Sequence, residues 1–481
     1  MNPVLVVLVV GLSPDLLGEH TPELCKLVAR GGVRPLSTVT PAVTCSAQAT
    51  LVTGLPPSGH GIVGNGWYDR ERAEVAFWKQ SNALVAGEKL WERARRIDPG
   101  CTTAKMFWWY NMYSSADWSA TPRPQYPADG RKIPDHYAHP ASLHDELDAR
   151  LGRFPLFSFW GPRASIESSR WIGDATRHVM ATRGPTIALS YLPHLDYDLQ
   201  RFGPDLSVPE LQRSLADVDA LVGELAAQAD AEGRRTIVVS EYGITAVSGA
   251  VHVNRALRRA GLLAVRDESA CGEQLDAGAS AAFAVADHQI AHVYVNDPAR
   301  LADARAVLES LDGVESVHGG DARAGIGLDH ARAGDLVAIS RADRWFSYYH
   351  WLDDDRAPDY ARCVDIHRKP GYDPVELFVD PAIRSATLAA GWRLAKKKAG
   401  FRTLMDIISP SRTDLVKGSH GRPTDSPGAG PLVIGTDAAL LPEGAVAAED
   451  FAELVLAHVF GAERARAAGR SERPVPAQAM R

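Results

Sequence analysis

The sequence predicts an α/β fold in which a mostly parallel sheet carries helices on both faces. Three apolar runs have the length of buried strands and end at turn residues, and they cover residues 4–10, 186–192 and 236–240. Helical patterns lie between these runs, and such alternation is typical of a parallel sheet. The 481 residues are enough for one large α/β domain with an insert, or for two to three domains.

Composition and charge indicate a globular protein that does not act on nucleic acid. Hydrophobic residues make up 45% of the chain and charged residues 23%, and both values are ordinary for a folded protein. The net charge of −7 argues against nucleic acid or an acidic membrane surface as the main partner. The five cysteines are scattered, with no C-x-x-C pair, as expected for reduced thiols. Since residues 4–10 are too few to span a bilayer, we expect a cytoplasmic protein.

Two helices have recognisable beginnings. Residues 21–29 form the first, with Thr21 as a candidate cap and Pro22 at the first helical position. Residues 207–210 form a capping box before the second. The second helix carries an apolar stripe at helical spacing, made of Leu211, Leu215, Val218, Val222 and Leu225.

The chain is predicted to consist of a core, an insert and a tail. Residues 1–270 form the first part of the core, residues 271–400 the insert or cap region, and residues 401–462 the final part of the core. Residues 463–481 are rich in Ala, Arg and Pro, and we expect them to be disordered.

The insert is predicted to be a compact α+β unit. Short strands are expected at residues 292–295, 314–317 and 335–340, and a helix opens at Asp297-Pro298. Asp287-His288 falls within this unit and is interpreted as a structural or pocket pair.

The chemistry is predicted to centre on residues 40–54, where a turn with hydroxyls and a thiol leads into a short helix. The free N–H groups and the dipole at a helix N-terminus favour an anion. Thr44 is the candidate nucleophile here, although such residues also cap helices without chemistry. Cys45 is an alternative nucleophile, but free cysteine is more often a small buried residue.

Two more candidate residues follow strand-like runs. Asp196 and Glu241 lie in, or directly before, the loops after two of the predicted strands. Ligands of a parallel sheet bind beyond the carboxyl ends of its strands. We therefore expect Thr44, Asp196 and Glu241 to face one site.

Two segments are candidates for contacting a substrate. Residues 106–134 are aromatic and broken by prolines, which fits either a packed loop or a pocket wall in which Trp108 binds the substrate. His367 and Arg368 belong to the second segment. They either face solvent or bind a phosphate or carboxylate group.

Four motifs occur in an order that points to one superfamily. They are a Gly-x-x-Pro-Asp turn at residues 11–15, a Pro-x-x-Thr turn ending at Thr44, a His-Gly-Ile-Val-Gly-Asn loop ending at Asn65, and a Gly-Ser-His-Gly loop around His420. Together they resemble the alkaline phosphatase superfamily, in its type I phosphodiesterase/nucleotide pyrophosphatase branch. The resemblance covers residues 1 to about 435.

The resemblance implies a three-layer α/β/α sandwich of the alkaline phosphatase type. It also implies hydrolysis of a phosphorus ester through a covalent intermediate on Thr44, with Asn65 steadying the oxyanion. Family members hold two divalent ions, normally zinc, which stabilise the attacking and leaving oxygens. Asp196, Glu241 and His420 stand at ligand positions of that pattern.

The ligand set departs from the family pattern at three places. Val10 stands where the family has aspartate, Gln200 where it has histidine, and Glu241-Tyr242 where it has an Asp-His pair. Two carboxylates and one imidazole suffice for a catalytic metal with open positions. One ion, most simply zinc, is therefore predicted rather than two, and Tyr242 is expected to pack or to donate a hydrogen bond.

The sequence thus predicts a hydrolase of phosphodiesters or pyrophosphates that acts on a small phosphorylated substrate. The missing ligands leave two alternatives on the same fold, a metal-poor pseudoenzyme that binds a phosphorylated metabolite and an isomerase or lyase. Binding without turnover would identify the first alternative, and products without loss of phosphate the second. Assembly into a homo-oligomer is a further possibility.

Overall fold

The computed structural model describes residues 1–469, and its largest element is a nine-stranded sheet. The strands are β1 (Val4–Val9), β2 (Gly32–Ser37), β3 (Gly66–Asp69), β4 (Glu74–Phe77), β5 (Thr103–Met106), β6 (Trp118–Pro122), β7 (His136–His139), β8 (Ile187–Leu192), β9 (Arg235–Val239), β10 (Thr245–Ala246), β11 (Gly249–Val251), β12 (Ala264–Glu268), β13 (Gly272–Asp276), β14 (Ala282–Asp287), β15 (Ile290–Val295), β16 (Val314–Gly319), β17 (Leu336–Ser340), β18 (Arg344–Phe346), β19 (Gly418–Ser419), β20 (Leu432–Gly435) and β21 (Val446–Ala447). The helices are α1 (Pro22–Arg30), α2 (Thr44–Thr53), α3 (Pro57–His60), α4 (Leu90–Ile97), α5 (Ala141–Leu151), α6 (Leu156–Phe159), α7 (Ile166–Arg183), α8 (His194–Phe202), α9 (Pro209–Ala231), α10 (Val253–Arg259), α11 (Leu301–Glu309), α12 (Ala386–Lys398), α13 (Phe451–Phe460) and α14 (Ala462–Ala467).

The large sheet has the strand order β21-β2-β20-β9-β1-β8-β5-β6-β7, and its centre is parallel. Strand β1 pairs in parallel with β8 and β9, and β5 pairs in parallel with β8 and β6. Strands β20 and β7 run antiparallel to their neighbours. All six residues of β1 are buried, as expected for a strand covered on both faces. The predicted mostly parallel sheet is confirmed.

Helices cover both faces of this sheet. Helices α7 and α9 contact each other and pack on β1, β5, β8 and β9, whereas α13 contacts α2, α4 and β1. The apolar stripe predicted on α9 is fully buried or nearly so. The capping box predicted before α9 does not form, because Ser207 instead donates from its backbone N–H and its hydroxyl to Asp205. The predicted three-layer arrangement is confirmed.

The insert is built around a second, antiparallel sheet with the strand order β14-β15-β17-β16. Helices α10 and α11 pack against it, so the predicted α+β character of the insert is confirmed. The Asp297 side chain accepts a hydrogen bond from the Ala299 N–H and opens the helical turn at the predicted place. The boundary at residue 271 stays a prediction, and the hairpin β12–β13 crosses it.

The tail needs a correction. Residues 463–467 are helical rather than disordered, because α14 is fixed to α4 by the buried Arg93, whose guanidinium donates to the Ala465 carbonyl oxygen at 3.1 Å. The rest of that prediction, from residue 470 onward, lies outside the described residues. Within residues 1–469, none of the helices has the length and apolar character needed to cross a membrane.

Candidate active site

Helix α2 carries the candidate nucleophile on its first residue. All 10 residues of α2 are buried. The N-cap position belongs to Val43, which makes no side-chain capping bond. The Thr44 hydroxyl instead donates to Oε1 of Glu241 at 2.8 Å. Thr44 therefore does not act as a helix cap, and its oxygen is held against a carboxylate.

Glu241 follows β9 and is fully buried. Its second oxygen, Oε2, accepts a hydrogen bond from the amide of Gln48 at 2.9 Å, and Gln48 Oε1 accepts one from the Trp109 N–H. Gln48 lies one helical turn after Thr44, so both side chains reach the same carboxyl group. Burial raises the pKa of Glu241 to about 8, and the hydrogen bonds from the neutral Gln48 and Thr44 side chains offset only part of that rise.

The Tyr242 phenol lies between Thr44 and Asp196. Its oxygen is 3.3 Å from Thr44 Oγ1, and it donates to Oδ1 of Asp196 at 3.3 Å. Oδ2 of Asp196 accepts a hydrogen bond from the Gln200 amide at 2.7 Å. Burial raises the pKa of Asp196 to about 7. As expected from the sequence, Tyr242 donates a hydrogen bond.

Two neutral histidines close the site. His420 Nδ1 lies 2.8 Å from the Ala42 carbonyl oxygen. A carbonyl oxygen only accepts, so Nδ1 carries the proton and Nε2 keeps its lone pair. That lone-pair nitrogen is 3.8 Å from Asp196 Oδ1. The His420 ring stacks on Tyr242 and also contacts His288, with ring centroids 3.6 Å apart in both pairs. Burial holds the pKa of both histidines well below the usual range.

Asn65 links the first turn of α2 to the insert. Its Oδ1 accepts from the Cys45 N–H at 3.0 Å, and its Nδ2 donates to Asp287 Oδ1 at 3.1 Å. Asp287 also lies 2.9 Å from His288 Nδ1 through the same oxygen. One amide hydrogen of Asn65 remains for an oxyanion, so that role stays a prediction. The Asp287-His288 pair belongs to the site.

The two-ion arrangement implied by the resemblance does not fit these side chains. Val10 is buried and apolar, and Gln200 and Tyr242 donate hydrogen bonds to Asp196 where the family has ligands. Within residues 1–469, Asp196, Glu241 and His420 are not a set whose ligand atoms all lie within 4.8 Å of one another. Among these three residues, Asp196 Oδ1 and the free nitrogen of His420 lie 3.8 Å apart.

The site opens into a cavity of about 2090 Å³ whose wall is aromatic and basic. Eight cationic side chains line it: Lys79, Arg123, Arg131, Lys132, Arg163, Lys397, Lys398 and Arg402. The carboxylates that line it are Asp129 and Asp196. The cavity is therefore basic although the chain as a whole carries −7, and this contrast favours an anionic ligand.

The substrate-binding predictions need a partial correction. Trp108 does not line the cavity, because its ring is buried in the core of the large sheet and its indole N–H donates to a backbone carbonyl of β8. The next residue, Trp109, lines the cavity instead, and so does His367. Arg368 lies away from the wall and pairs with Asp359 at 2.7 Å.

Two features of the site were missed by sequence reasoning, and the role of a third was left open. Gln48 had a usable signal, since it stands four residues after Thr44 on a helix. The cationic wall had none, because its members come from separate loops and α12 without periodicity. Asp287-His288 was interpreted as a structural or pocket pair, which left its place open. The β14–β15 turn holds the pair at the site, because the N–H of the next residue, Gln289, donates to the His420 carbonyl oxygen.

Comparison with known proteins identifies the family of the chain and finds solved structures with the same fold. A sequence model of type I phosphodiesterase / nucleotide pyrophosphatase matches residues 4–373. An uncharacterized pyrophosphatase/phosphodiesterase of Schizosaccharomyces pombe is 28% identical over 234 residues, which are 47% of this chain and 40% of that relative. The match thus spans less than half of that relative's length.

Solved structures share the architecture over 95% of the chain. Phosphonoacetate hydrolase from Sinorhizobium meliloti 1021, in complex with phosphonoformate, has a TM-score of 0.58 at 16% identity, covering 95% of this chain and 96% of that one. Murine ectonucleotide pyrophosphatase / phosphodiesterase 5 has a TM-score of 0.55 at 14% identity, covering 95% and 94%. These likenesses confirm the predicted alkaline phosphatase-like fold. From the match over residues 4–373, the chain belongs to the type I phosphodiesterase / nucleotide pyrophosphatase family.

Proposed function

We propose that the protein hydrolyses phosphorus esters of the phosphodiester or pyrophosphate type through a covalent intermediate on Thr44. The observation that carries this proposal is the 2.8 Å hydrogen bond from Thr44 Oγ1 to Glu241 at the floor of a basic cavity. Membership of a family named for phosphodiesterases and nucleotide pyrophosphatases supports it. The substrate is a small phosphorylated molecule, contacted by Trp109 and His367.

The chain's own residues supply a nucleophile and a base. Thr44 Oγ1 attacks the phosphorus, the bond to the leaving oxygen breaks, and the hydroxyl proton passes to Glu241. Water then attacks the phosphorus of the threonine ester, the bond from phosphorus to Thr44 Oγ1 breaks, and Oγ1 takes back the proton from Glu241. The proton that the water loses passes to solvent, which in turn supplies a proton to the departed oxygen where that oxygen is basic enough to take one. Gln48 keeps the Glu241 carboxyl group in place through both steps. The Cys45 N–H is fixed by Asn65 and positions the turn that carries the nucleophile.

We also propose that the site binds a single divalent ion, most simply zinc. The family is metal-dependent, and Asp196 and His420 would hold the ion, with Glu241 as the remaining candidate ligand. Bound there, the ion would stabilise negative charge on the phosphoryl oxygens. Burial raises the pKa of Asp196, Glu241 and Asp287 to about 7, 8 and 6, and a cation would relieve the cost of their charges. The zinc content of purified protein tests this, because the double variant Asp196→Ala/His420→Ala should hold one equivalent less than wild type. Equal contents would contradict it.

Hydrolysis of bis(p-nitrophenyl) phosphate tests the nucleophile. We expect Thr44→Ala to lower kcat by roughly 1000-fold or more, since loss of a nucleophile removes the covalent route. Cys45→Ala is the matched control, because Cys45 is the adjacent buried residue and the alternative nucleophile. A large loss in Cys45→Ala with little change in Thr44→Ala would overturn the assignment.

A second candidate function is binding without turnover. The position of the Tyr242 phenol between Thr44 and Asp196 favours it, because the phenol occupies space that a bound ion would need. Calorimetry with a nucleoside monophosphate, beside a product assay, separates the two functions. Saturable binding with no hydrolysis of any diester or pyrophosphate would replace the hydrolase by a binding protein. Products that retain all their phosphate would indicate an isomerase or lyase.

We propose a cytoplasmic location and self-association of the protein, each from a different observation. The five cysteines are free thiols, which supports a cytoplasmic location. Neither nucleic acid nor a membrane is proposed as a partner. Leu388 and Trp392 are exposed on α12, and an exposed apolar helix supports self-association. Light scattering of the purified protein would give the mass of the particle.

A further inference from the structure

One lysine is buried in the middle of the large sheet. Lys105 is the third residue of β5, which lies between β8 and β6, and its exposed fraction is 1%. Its Nζ lies 4.9 Å from the centre of the Trp91 ring, and within residues 1–469 it forms no ion pair with a carboxylate. Burial holds the pKa of Lys105 well below its usual range. A lysine without an acidic partner is unfavourable in a core, so its presence points to a role beyond packing.

The side chain of Lys105 donates to two successive carbonyl oxygens in the segment that follows β5. Nζ lies 2.7 Å from the Trp109 oxygen and 3.0 Å from the Tyr110 oxygen. The Asn111 amide donates back to the Lys105 carbonyl oxygen at 2.9 Å. Lys105 therefore holds the turn of residues 107–111 through both its side chain and its backbone.

The backbone of this turn has an unusual conformation. Phe107 and Tyr110 have φ values of 66° and 53°, and residues other than glycine seldom adopt a positive φ. Such conformations persist where the surrounding structure holds them in place, and they are frequent at active sites. The bonds from Nζ hold the carbonyl groups of the turn in this conformation.

The turn reaches the proposed catalytic base through Gln48. The Trp109 N–H donates to Gln48 Oε1 at 2.8 Å. Because this bond engages the oxygen of the Gln48 amide, the nitrogen is the atom that faces Glu241, and it donates to Oε2 at 2.9 Å. Oε1 of Glu241 is left to accept from Thr44. If the turn moved away, the Gln48 amide would be free to rotate and Glu241 would lose its fixed orientation.

We propose that Lys105 is a positioning residue for the hydrolysis reaction and acts on Glu241 through the Trp109 backbone and Gln48. Lys105 has this role only if Glu241 takes the proton of Thr44, so the assignment rests on the proposed function. Lys105 is not among the residues that line the cavity, and it therefore acts without touching the substrate. The chain of hydrogen bonds explains why the core of the sheet keeps a lysine where an apolar side chain would cost less.

Hydrolysis of bis(p-nitrophenyl) phosphate by Lys105→Met tests this role. Methionine is also a long unbranched side chain, but it donates no hydrogen bond. We expect kcat to fall roughly 10–100-fold, as it does when a catalytic group is misplaced by about 1 Å. Gln48→Leu should fall at least as far, and Lys105→Met/Gln48→Leu should fall no further than Gln48→Leu alone, because residues that act as a unit are not additive. Losses that multiply in the double variant would overturn the assignment, since a purely structural effect is independent of Gln48.

Lys89→Met is the matched control. Lys89 is also buried, and within residues 1–469 no hydrogen bond joins its side chain to the turn. It should keep the wild-type kcat, and a loss equal to that of Lys105→Met would count against a specific role for Lys105.

A crystal structure of full-length Lys105→Met tests the geometry without reading activity. We expect the distance from the Trp109 nitrogen to Gln48 Oε1 to exceed about 3.5 Å, so that the hydrogen bond is lost. Unchanged bonds from Trp109 to Gln48 and from Gln48 to Glu241 would overturn the positioning role, whether or not the protein is a hydrolase. A displaced turn in the variant, together with a wild-type protein that hydrolyses nothing, would support the positioning role and refute the proposed function.

Discussion

Tyr242 and Gln200 set this site apart from the metal-rich pattern that its family implies. Both side chains donate hydrogen bonds to Asp196. Each oxygen of the Asp196 carboxyl group therefore contacts a neutral donor rather than a cation. Burial raises the pKa of Asp196 to about 7, and the hydrogen bonds from the two neutral donors offset only part of that rise. Gln200 and Tyr242, which the resemblance places at ligand positions, thus change the electrostatics of the site without changing its fold.

Restoring those ligands should strengthen metal binding. We expect Gln200→His/Tyr242→His to bind zinc at least tenfold more tightly than wild type at the active site, because each change replaces a donor by a ligand nitrogen. Competition with a chromophoric chelator measures the affinity. The control is Tyr242→Phe, which keeps an aromatic ring on His420 but adds no ligand. Unchanged zinc affinity in the double histidine variant would show that the carboxylates are not placed for an ion.

The loop after β9 is the element that delivers Glu241 and Tyr242 to the site. It passes close to the backbone at residue 429, since a Cβ built on Gly243 would lie 1.8 Å from the Ala429 carbonyl oxygen. Real Cβ atoms do not approach backbone oxygens so closely, and a side chain here would force the two segments apart. The glycine is therefore required by close packing.

Gly243→Ala should lower both stability and activity. We expect a loss of about 1–3 kcal/mol in the free energy of unfolding, as for other overpacked sites, and weaker hydrolysis because Glu241 shifts. Urea unfolding followed by tryptophan fluorescence gives the first value. Gly249→Ala is the matched control, because its Cβ would meet nothing within 4 Å. A Gly243→Ala protein as stable as Gly249→Ala would mean that this loop adapts freely.

Across the whole molecule, buried histidines stay neutral because burial disfavours their charged form. Burial lowers the pKa of His60 to about 3, and those of His194, His252 and His350 to about 4. A histidine whose pKa is lower in the folded than in the unfolded protein stabilises the fold above pH 6.5. That stabilisation is lost as the pH falls toward 4, because the unfolded chain takes up the proton first.

The free energy of unfolding should therefore fall between pH 7 and pH 4. The His194→Gln variant should show a shallower decline, by on the order of 2 kcal/mol over that interval. Urea unfolding at several pH values measures the slope. His139→Gln serves as the control, since that side chain is exposed. A slope in His194→Gln equal to that of wild type would remove His194 from the explanation.

The sequence was sufficient for the sheet and for part of the site. Strands β1, β8 and β9 begin and end within one residue of their predicted bounds, since buried parallel strands are continuous apolar runs. Thr44 and Glu241 meet as predicted, because both stand at or just beyond the carboxyl ends of strands.

The cavity wall could not be predicted in the same way. Trp108 and Trp109 lie between Phe107 and Tyr110, which have φ values of 66° and 53°. A backbone that takes such rare conformations leaves no periodic signal from which the direction of a side chain could be predicted. The Asp287-His288 pair lies at the site because the second sheet packs there, and such packing between distant segments cannot be predicted from the sequence pattern.

The most direct measurement is mass spectrometry of the protein quenched in acid during turnover of bis(p-nitrophenyl) phosphate. We expect a peptide that contains Thr44 to gain the mass of a p-nitrophenyl phosphoryl group, and we expect no such gain in Thr44→Ala. Glu241→Gln should lower the yield of the adduct, because Glu241 takes the proton of the Thr44 hydroxyl when the adduct forms. Turnover at the wild-type rate without any phosphorylated threonine, and with Thr44→Ala still active, would contradict the central claim that Thr44 is the nucleophile.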